Sequence, residues 1–186
     1  MKRSKSIKLV VMATTTVTLA GCADEPDLEG RVYKTEAECI ADDYVPDEVC
    51  AAALQAGKAT HETSGPRYKT ITLCSEQHGN ACLQETSSAG PYYTPSPSGY
   101  FLAGTLAGAV ASQVIGNNVR PVYSSRGQKG FYTSGGYYVG NYGGSSWRTY
   151  NDAVKTPPKP AKVQTRTSVA SRGGFGSRSS FSSRGG

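Results

Sequence analysis

Tyr33-Lys34-Thr35-Glu36-Ala37-Glu38-Cys39 and Tyr68-Lys69-Thr70-Ile71-Thr72-Leu73-Cys74 are two copies of one pattern. In each copy a Tyr-Lys-Thr triplet ends four residues before a cysteine, and a turn-rich stretch then leads to a second cysteine, at Cys50 or Cys82. This internal repeat decides the organisation that we expect for the first half of the chain.

The four cysteines of the repeat allow three disulfide connectivities. Two copies of one unit most simply close locally, which predicts disulfides between Cys39 and Cys50 and between Cys74 and Cys82. Loops this short contribute about 2–3 kcal/mol each. A domain of about 60 residues needs such cross-links, because its core alone is too small.

Local signals place helices in the first unit. Thr35 followed by Glu38 fits a capping box, which predicts a short helix that carries Cys39. Further along, Asp47 can cap a second helix over Glu48–His61, whose first turn is acidic as a helix N-terminus prefers.

The second unit lacks the capping glutamate, and Thr70-Ile71-Thr72-Leu73 looks more like a strand because it is rich in β-branched residues. Over both units we expect a small, mainly α module (with α+β possible) that is stapled by disulfides across residues 31–88. We expect a long, disordered, low-complexity C-terminal region over residues 117–186.

A metal site is the alternative use of the second unit. Cys74, His78 and Cys82 are spaced at i, i+4 and i+8, and His61 could add a fourth ligand. Gly79-Asn80 argues against a continuous helix through this set, and an exported chain favours oxidised cysteines. Structural disulfides are therefore the favoured interpretation over zinc.

No catalytic constellation is present in the sequence. His61 and His78 are the only histidines, and neither has a nucleophile or a carboxylate partner at a telling spacing. A small redox protein that uses Cys74–Cys82 is an alternative, but no Cys-x-x-Cys motif supports it. We assign no catalytic residue, cofactor or metal.

The N-terminus predicts export and lipidation. Residues 1–21 read as a signal peptide, and Leu19-Ala20-Gly21-Cys22 looks like the lipobox of bacterial lipoproteins. Cys22 is then the lipidated first residue, at the start of a linker over residues 22–30; the alternative is an ordinary cleaved signal with an incidental thiol. Four basic residues precede the short apolar run: Lys2, Arg3, Lys5 and Lys8.

The residue after the lipidated cysteine bears on which membrane holds the protein. An aspartate there retains enteric lipoproteins in the inner membrane, and this chain has Ala23, although Asp24 follows. We therefore favour the periplasmic face of the outer membrane over the inner membrane.

A small-residue segment follows a Pro/Ser linker over residues 89–98. Residues 99–116 predict an apolar helix in which Gly104, Gly108 and Ser112 recur at intervals of four, a spacing that allows two backbones to approach closely. Three interpretations stay open: packing on a partner helix or on its own copy as a homo-oligomer, a membrane-surface or partly inserted helix, and a weak isolated helix.

Residues 117–186 predict a Gly/Tyr/Ser-rich and basic tail. The charge is polarised, because residues 23–62 hold 11 of the 14 acidic residues whereas residues 153–186 hold no acid. The tail could contact an anionic surface or an acidic patch on an envelope protein, or have no partner. Export removes nucleic acid as a partner. The bases of residues 153–186 are Lys155, Lys159, Lys162, Arg166, Arg172, Arg178 and Arg184.

The order of these features resembles the YgiB-type family of uncharacterised bacterial lipoproteins. The resemblance covers nearly the full chain, although this chain is short between the second cysteine unit and the apolar segment. It implies an exported lipoprotein of unknown function, and it supplies no catalytic residues. The features that carry it are Met1-Lys2-Arg3-Ser4-Lys5-Ser6, Cys22, the cysteine pairs, Gly104–Gly108 and Arg172-Gly173-Gly174-Phe175-Gly176.

These observations lead to the hypothesis of a non-enzymatic, lipid-anchored envelope protein that acts as an interaction or structural factor. One alternative is a membrane-associated oligomer built through Gly104, Gly108 and Ser112. The other is a small periplasmic redox protein or enzyme accessory.

Overall fold

The computed structural model describes residues 28–79, 82–104, 118–143, 147–150, 153–154 and 159–171. Within these ranges the helices are α1 (Glu36–Asp42), α2 (Asp47–Ser64), α3 (Ile71–His78) and α4 (Arg166–Ala170). The strands are β1 (Leu28–Tyr33), β2 (Arg67–Tyr68), β3 (Cys82–Ser87), β4 (Gly90–Pro95), β5 (Gly99–Ala103), β6 (Val119–Ser124), β7 (Phe131–Thr133), β8 (Tyr138–Gly140), β9 (Trp147–Thr149) and β10 (Val163–Gln164).

The larger sheet contains six antiparallel strands in the order β8-β7-β6-β5-β1-β9. In its centre β1 pairs with β5, so that Gly30 lies opposite Ala103. The sheet curls until its two edge strands meet, where the Thr149 hydroxyl donates to the Tyr138 carbonyl at 2.9 Å. The sheet is thereby nearly closed into a barrel.

The smaller sheet has the order β10-β2-β4-β3. β10 runs parallel to β2, and the remaining pairs are antiparallel. Helix α4 follows β10, and its Arg166 forms an ion pair with Glu76 of α3 at 2.9 Å. The C-terminal part of the described chain therefore adds the edge strand β10 and the helix α4 to the smaller sheet, to which the second cysteine unit belongs.

Alternation along β5 separates the two cores of the larger sheet. Tyr100 and Leu102 pack against α1 and α2, whereas Phe101 and Ala103 face the inside of the curl. The helix-side core contains Tyr33, Cys39, Val45, Val49, Cys50, Ala53, Leu54, Tyr100, Leu102 and Val119. The inner core contains Leu28, Phe101, Ala103, Val122, Phe131, Val139, Ala153 and Val154.

A buried arginine holds the inner core together. Arg120 is 3% exposed, and its guanidinium donates to the carbonyls of Val119 and Val154. Because a buried cation must find acceptors, this contact fixes residues 153–154 against the sheet.

The first cysteine unit confirms the predicted helices. Thr35 caps α1 by accepting a hydrogen bond from the Glu38 amide at 3.2 Å, and α2 covers the predicted second helix. The proposed cap at Asp47 is wrong, because Asp47 is already helical and Pro46 is the N-cap residue, without a side-chain hydrogen bond.

The second unit corrects the strand predicted at Thr70–Leu73. These residues begin α3, and the Thr70 hydroxyl accepts from the Leu73 amide at 3.2 Å. The cap therefore outweighs the β propensity of Ile71 and Thr72. The two sequence copies are structural copies, each a strand tyrosine, a threonine cap and a helix that carries a cysteine.

The predicted fold class is wrong, because the protein is mainly β. Residues 99–103 form strand β5 instead of the start of a helix, and residues 105–117 lie outside the described part. The tail predicted to be disordered from residue 117 contributes β6 to β10 and α4. Its tyrosines and valines alternate along short strands and fill the cores, for example Tyr123, Tyr132 and Val139.

Two disulfides close the two units, as the repeat indicated. Cys39 and Cys50 are joined with their Cα atoms 5.8 Å apart, and Cys74 and Cys82 with theirs 6.2 Å apart. No helix in the described ranges is both long enough and apolar enough to cross a membrane.

The two disulfides are expected to react in order with a mild reductant under native conditions. Cys39, Cys50 and Cys74 are fully buried, whereas Cys82 is only partly buried, so the bond of the second unit offers the accessible sulfur. Differential alkylation and peptide mapping should find Cys74 and Cys82 free first. In urea-unfolded protein both bonds should react together, and early release of Cys39 and Cys50 in the folded protein would contradict the assignment.

Gly57 of α2 is expected to resist the substitution that normally stabilises helices. A Cβ atom at this position would lie 2.4 Å from Cδ1 of the Tyr100 ring. Gly57→Ala should therefore lower the free energy of unfolding by about 1–2 kcal/mol through overpacking, although alanine ordinarily gains about 1 kcal/mol over glycine in a helix. Denaturant titration of the variant and the wild type measures the change in the free energy of unfolding. The exposed control Ala59→Gly reports helix propensity alone. A Gly57→Ala protein more stable than the wild type would refute the close contact with Tyr100.

Candidate functional site

The structure separates the predicted site residues. Cys22, Gly108 and Ser112 lie outside the described residues. Gly104 directly follows β5, where an added Cβ would lie 2.1 Å from the Tyr44 hydroxyl and 3.2 Å from the Glu29 carbonyl. The close approach of Tyr44 and Glu29 therefore explains why this position is a glycine, without a partner helix.

The alternative zinc set is not assembled. The sulfurs of Cys74 and Cys82 are bonded to each other, so neither is available as a thiolate ligand. Across the described ranges, no group of three or more histidine, cysteine, aspartate or glutamate side chains could hold a metal ion.

His78 is buried at the junction of the two sheets. Only 5% of the residue is exposed, and its Nδ1 lies 2.8 Å from the Ser124 carbonyl of β6. A carbonyl oxygen only accepts, so Nδ1 carries the proton and Nε2 accepts from the Tyr68 hydroxyl at 2.7 Å. Burial lowers the pKa of His78 to about 4, so the neutral ring fits both partners.

His61 makes the second contact at this junction. Its Nδ1 lies 2.8 Å from the hydroxyl of Tyr123, which is fully buried in β6. Burial lowers the pKa of His61 and raises the pKa of Tyr123 well above its ordinary value. Both side chains are therefore neutral near pH 7, and the histidines serve to join β6 to α2 and α3.

The first cysteine unit has a corresponding tyrosine contact. The Tyr33 hydroxyl donates to Asp42 Oδ2 at 2.6 Å, at the end of α1, as the Tyr68 hydroxyl donates to His78 at the end of α3. Burial, followed by the hydrogen bond to Asp42, raises the pKa of Tyr33. In both units the tyrosine therefore fixes the far end of the helix that its own triplet caps.

The surface feature with the clearest capacity to bind a ligand is a groove of about 630 Å³ beside the first unit. It is called the lysine groove below. Its lining residues are Lys34, Lys58, Pro97, Ser98, Gly99, Tyr100, Phe131, Tyr142 and Gly143. A second hollow of about 300 Å³ shares both lysines and adds Thr35, Glu36, Ala51, Leu54 and Gln55.

Well-fixed backbone positions both lysines. Lys34 lies between β1 and the α1 cap, and its amide donates to Glu38 Oε2 at 2.7 Å. Lys58 follows Gly57, the position at which α2 closely approaches the Tyr100 ring. In the part of the chain that the structure describes, neither ammonium group forms a salt bridge.

Aromatic side chains form part of the wall of the lysine groove. Phe131 of β7 meets Tyr142 edge to face, with ring centroids 4.9 Å apart, and Tyr142 is 44% exposed. Tyr100 is nearly buried and belongs to the helix-side core. The groove therefore combines two cations with an accessible aromatic ring.

Sequence reasoning missed the lysine groove. Its residues come from the β1–α1 junction, α2, β5, β7 and the turn after β8, so no local motif joins them. The one available signal was the lysine of the repeated triplet, because Lys34 is exposed although its neighbour Tyr33 is buried.

Comparison with known proteins gives a family without an established function. The profile described as "Protein of unknown function (DUF1190)" matches residues 27–186. A UPF0441 protein of Klebsiella pneumoniae is 28% identical, over 90% of this chain and 78% of its own length. A UPF0441 protein of Serratia proteamaculans is 26% identical, over 94% and 82%.

A further UPF0441 protein, from Photorhabdus laumondii, is 26% identical over 94% of this chain and 82% of its own length. No solved structure matches this chain significantly. These relatives confirm the resemblance to the YgiB-type family that the order of the motifs indicated.

Stability is expected to fall with acidity through His78. The pKa of its ring is about 4 in the folded chain against an ordinary 6.5, so the unfolded chain takes up the proton first as the pH falls. The free energy of unfolding should lose about 3 kcal/mol between pH 6.5 and pH 4 from this group. Well above pH 6.5 the ring is neutral in both the folded and the unfolded chain, so it should make no pH-dependent contribution. Urea titrations across this range measure the slope.

Two variants separate titration from packing. His78→Gln removes the titrating ring, so the free energy of unfolding should depend on pH less steeply, by about one bound proton. His61, whose pKa is also lowered by burial, accounts for part of the pH dependence that remains. Tyr68→Phe removes the same Tyr68–His78 hydrogen bond but keeps the imidazole, so it should be less stable with the slope retained. An unchanged slope in His78→Gln would refute the assignment.

Proposed function

The chain belongs to the DUF1190 family, whose function is unknown, and we propose that it is a lipid-anchored protein of the bacterial envelope that acts by binding. The lipid on Cys22 holds the protein at the membrane, with the periplasmic face of the outer membrane favoured by Ala23. The folded part presents the lysine groove to a ligand or partner.

The lysine groove is the observation that carries the binding role. Among the described residues that line it, none is a histidine, cysteine or carboxylate that could serve as a general base or nucleophile. Its one serine, Ser98, accepts a hydrogen bond from the Ser124 amide at 3.0 Å. Both histidines are occupied at the sheet junction, so a binding role fits the groove better than catalysis.

Export is supported by the cysteines and the N-terminus together. Two disulfides with three fully buried cysteines suit an oxidising compartment. The signal that ends in Leu19-Ala20-Gly21-Cys22 suits lipidation, and several acyl chains give firm anchoring.

The end of the chain extends this proposal. Arg172, Arg178 and Arg184 lie beyond the described residues in a stretch without acids, so they suit a second contact with an anionic surface. Oligomerisation through Gly104, Gly108 and Ser112 is not part of the proposal, because Tyr44 accounts for Gly104.

Anchoring is tested at Cys22. Cys22→Ser should leave the signal peptide uncleaved by the lipoprotein pathway and remove lipid labelling, with loss of the mature form from sucrose-gradient outer-membrane fractions. The matched control Ala23→Ser keeps the lipidated cysteine and should label and fractionate as the wild type does. A Cys22→Ser protein that is processed normally and stays in membranes would contradict the anchor.

A further inference from the structure

We infer that the lysine groove binds an anionic pyranose, that is, a six-membered sugar ring that carries a phosphate or carboxylate group. This inference rests on the proposed binding function and names the chemical class of its ligand. It draws on the charge, the aromatic wall and the strand pairing around the groove.

The charge requires an anion. Lys34 and Lys58 line both the 630 Å³ groove and the adjoining 300 Å³ hollow, so the two lysines outnumber Glu36, the one carboxylate among the described residues that line the two hollows. Neither is paired with a carboxylate in a salt bridge within the described residues. A lysine ammonium presents three donors to a phosphate or carboxylate oxygen, and two of them suit one anionic group.

The aromatic wall requires a ring-bearing ligand. Tyr142 is 44% exposed, and its contact with Phe131 is edge to face at 4.9 Å, a geometry in which the rings do not stack over one another. The face of an aromatic ring is electron-rich and attracts the positive edge of C–H groups. A pyranose presents such C–H groups on one face and hydroxyls at its rim, within reach of the Tyr142 hydroxyl.

Strand pairing argues against a peptide. β5 lies between β6 and β1, and β7 lies between β8 and β6, so the strands that line the groove have no open edge to which a peptide strand could add. The volume of about 630 Å³ is that of a small-molecule site. Recognition therefore falls to side chains and suits a compact ligand of one or two rings.

The test is calorimetric titration of the processed, full-length protein in detergent micelles with defined probes. Glucose 6-phosphate and glucuronate carry the ring and the charge, glucose carries the ring alone, and inorganic phosphate carries the charge alone. Adenosine monophosphate and a short acidic peptide represent other anions. We expect at least one of the two charged sugars to bind. Glucose, inorganic phosphate, adenosine monophosphate and the peptide should each bind at least about tenfold more weakly than that sugar.

Variants tie binding to the groove. The double variant Lys34→Gln/Lys58→Gln should weaken binding of the charged sugar by at least about tenfold, whereas Lys69→Gln, the equivalent lysine of the second triplet, should not. Tyr142→Leu should weaken it too, with the exposed Tyr137→Leu as its control. Circular dichroism of each variant confirms that it is folded.

The outcomes are distinct. The inference would be overturned if neither charged sugar bound, or if glucose or inorganic phosphate bound as tightly as the charged sugar. It would also be overturned if the nucleotide or the peptide bound more tightly, or if the lysine double variant bound the charged sugar as the wild type does. Membrane fractionation of the same preparation reports anchoring separately, so a failed ligand class does not disturb the proposed anchor. Loss of anchoring with sugar binding intact would instead overturn only the envelope placement.

Discussion

Strand β6 carries hydrogen bonds that join the larger sheet to α2 and to α3, the helix of the second cysteine unit. On the strand, the Tyr123 hydroxyl contacts His61 of α2, and the next residue's carbonyl accepts from His78 of α3. Both histidines are used in their neutral forms because burial lowers their pKa values. A chain with two histidines has thus placed both at one internal junction, where each contacts a polar group that lies away from water.

The part of this architecture that sequence could predict is the local part. Thr35 and the cysteine spacing determine α1 and its disulfide through contacts within a few residues, and such contacts leave a readable pattern. The repeat also predicts the helix of the second unit. Thr70 is a cap like Thr35, and the equivalence of the two copies predicts a helix after it, whereas the β-branched residues alone predict a strand.

The part that sequence could not predict depends on distant partners. Residues 99–103 belong to the segment whose small residues predict an apolar helix, but they form β5, which pairs with β1 on one side and β6 on the other. Tyrosine-rich segments resemble low-complexity sequence, yet Tyr123 is fully buried and contacts His61, which lies 62 positions earlier in the chain. The lysine groove combines five such segments, and only the assembled sheet brings them together.

Both sheets join early and late parts of the chain, since β9 pairs with β1 and β10 pairs with β2. A nascent chain that has emerged as far as β5 has one neighbour for β1 and one for β2, and it still lacks the second neighbour of each strand. Such distant pairing gives the fold a high contact order, which slows folding relative to helical proteins of similar size. Folding can finish only after almost the whole polypeptide has been delivered, which is compatible with passage through a membrane as an unfolded thread. Until then, the exposed edges of β1 and β2 are the points at which the chain is most open to mispairing with another copy of itself.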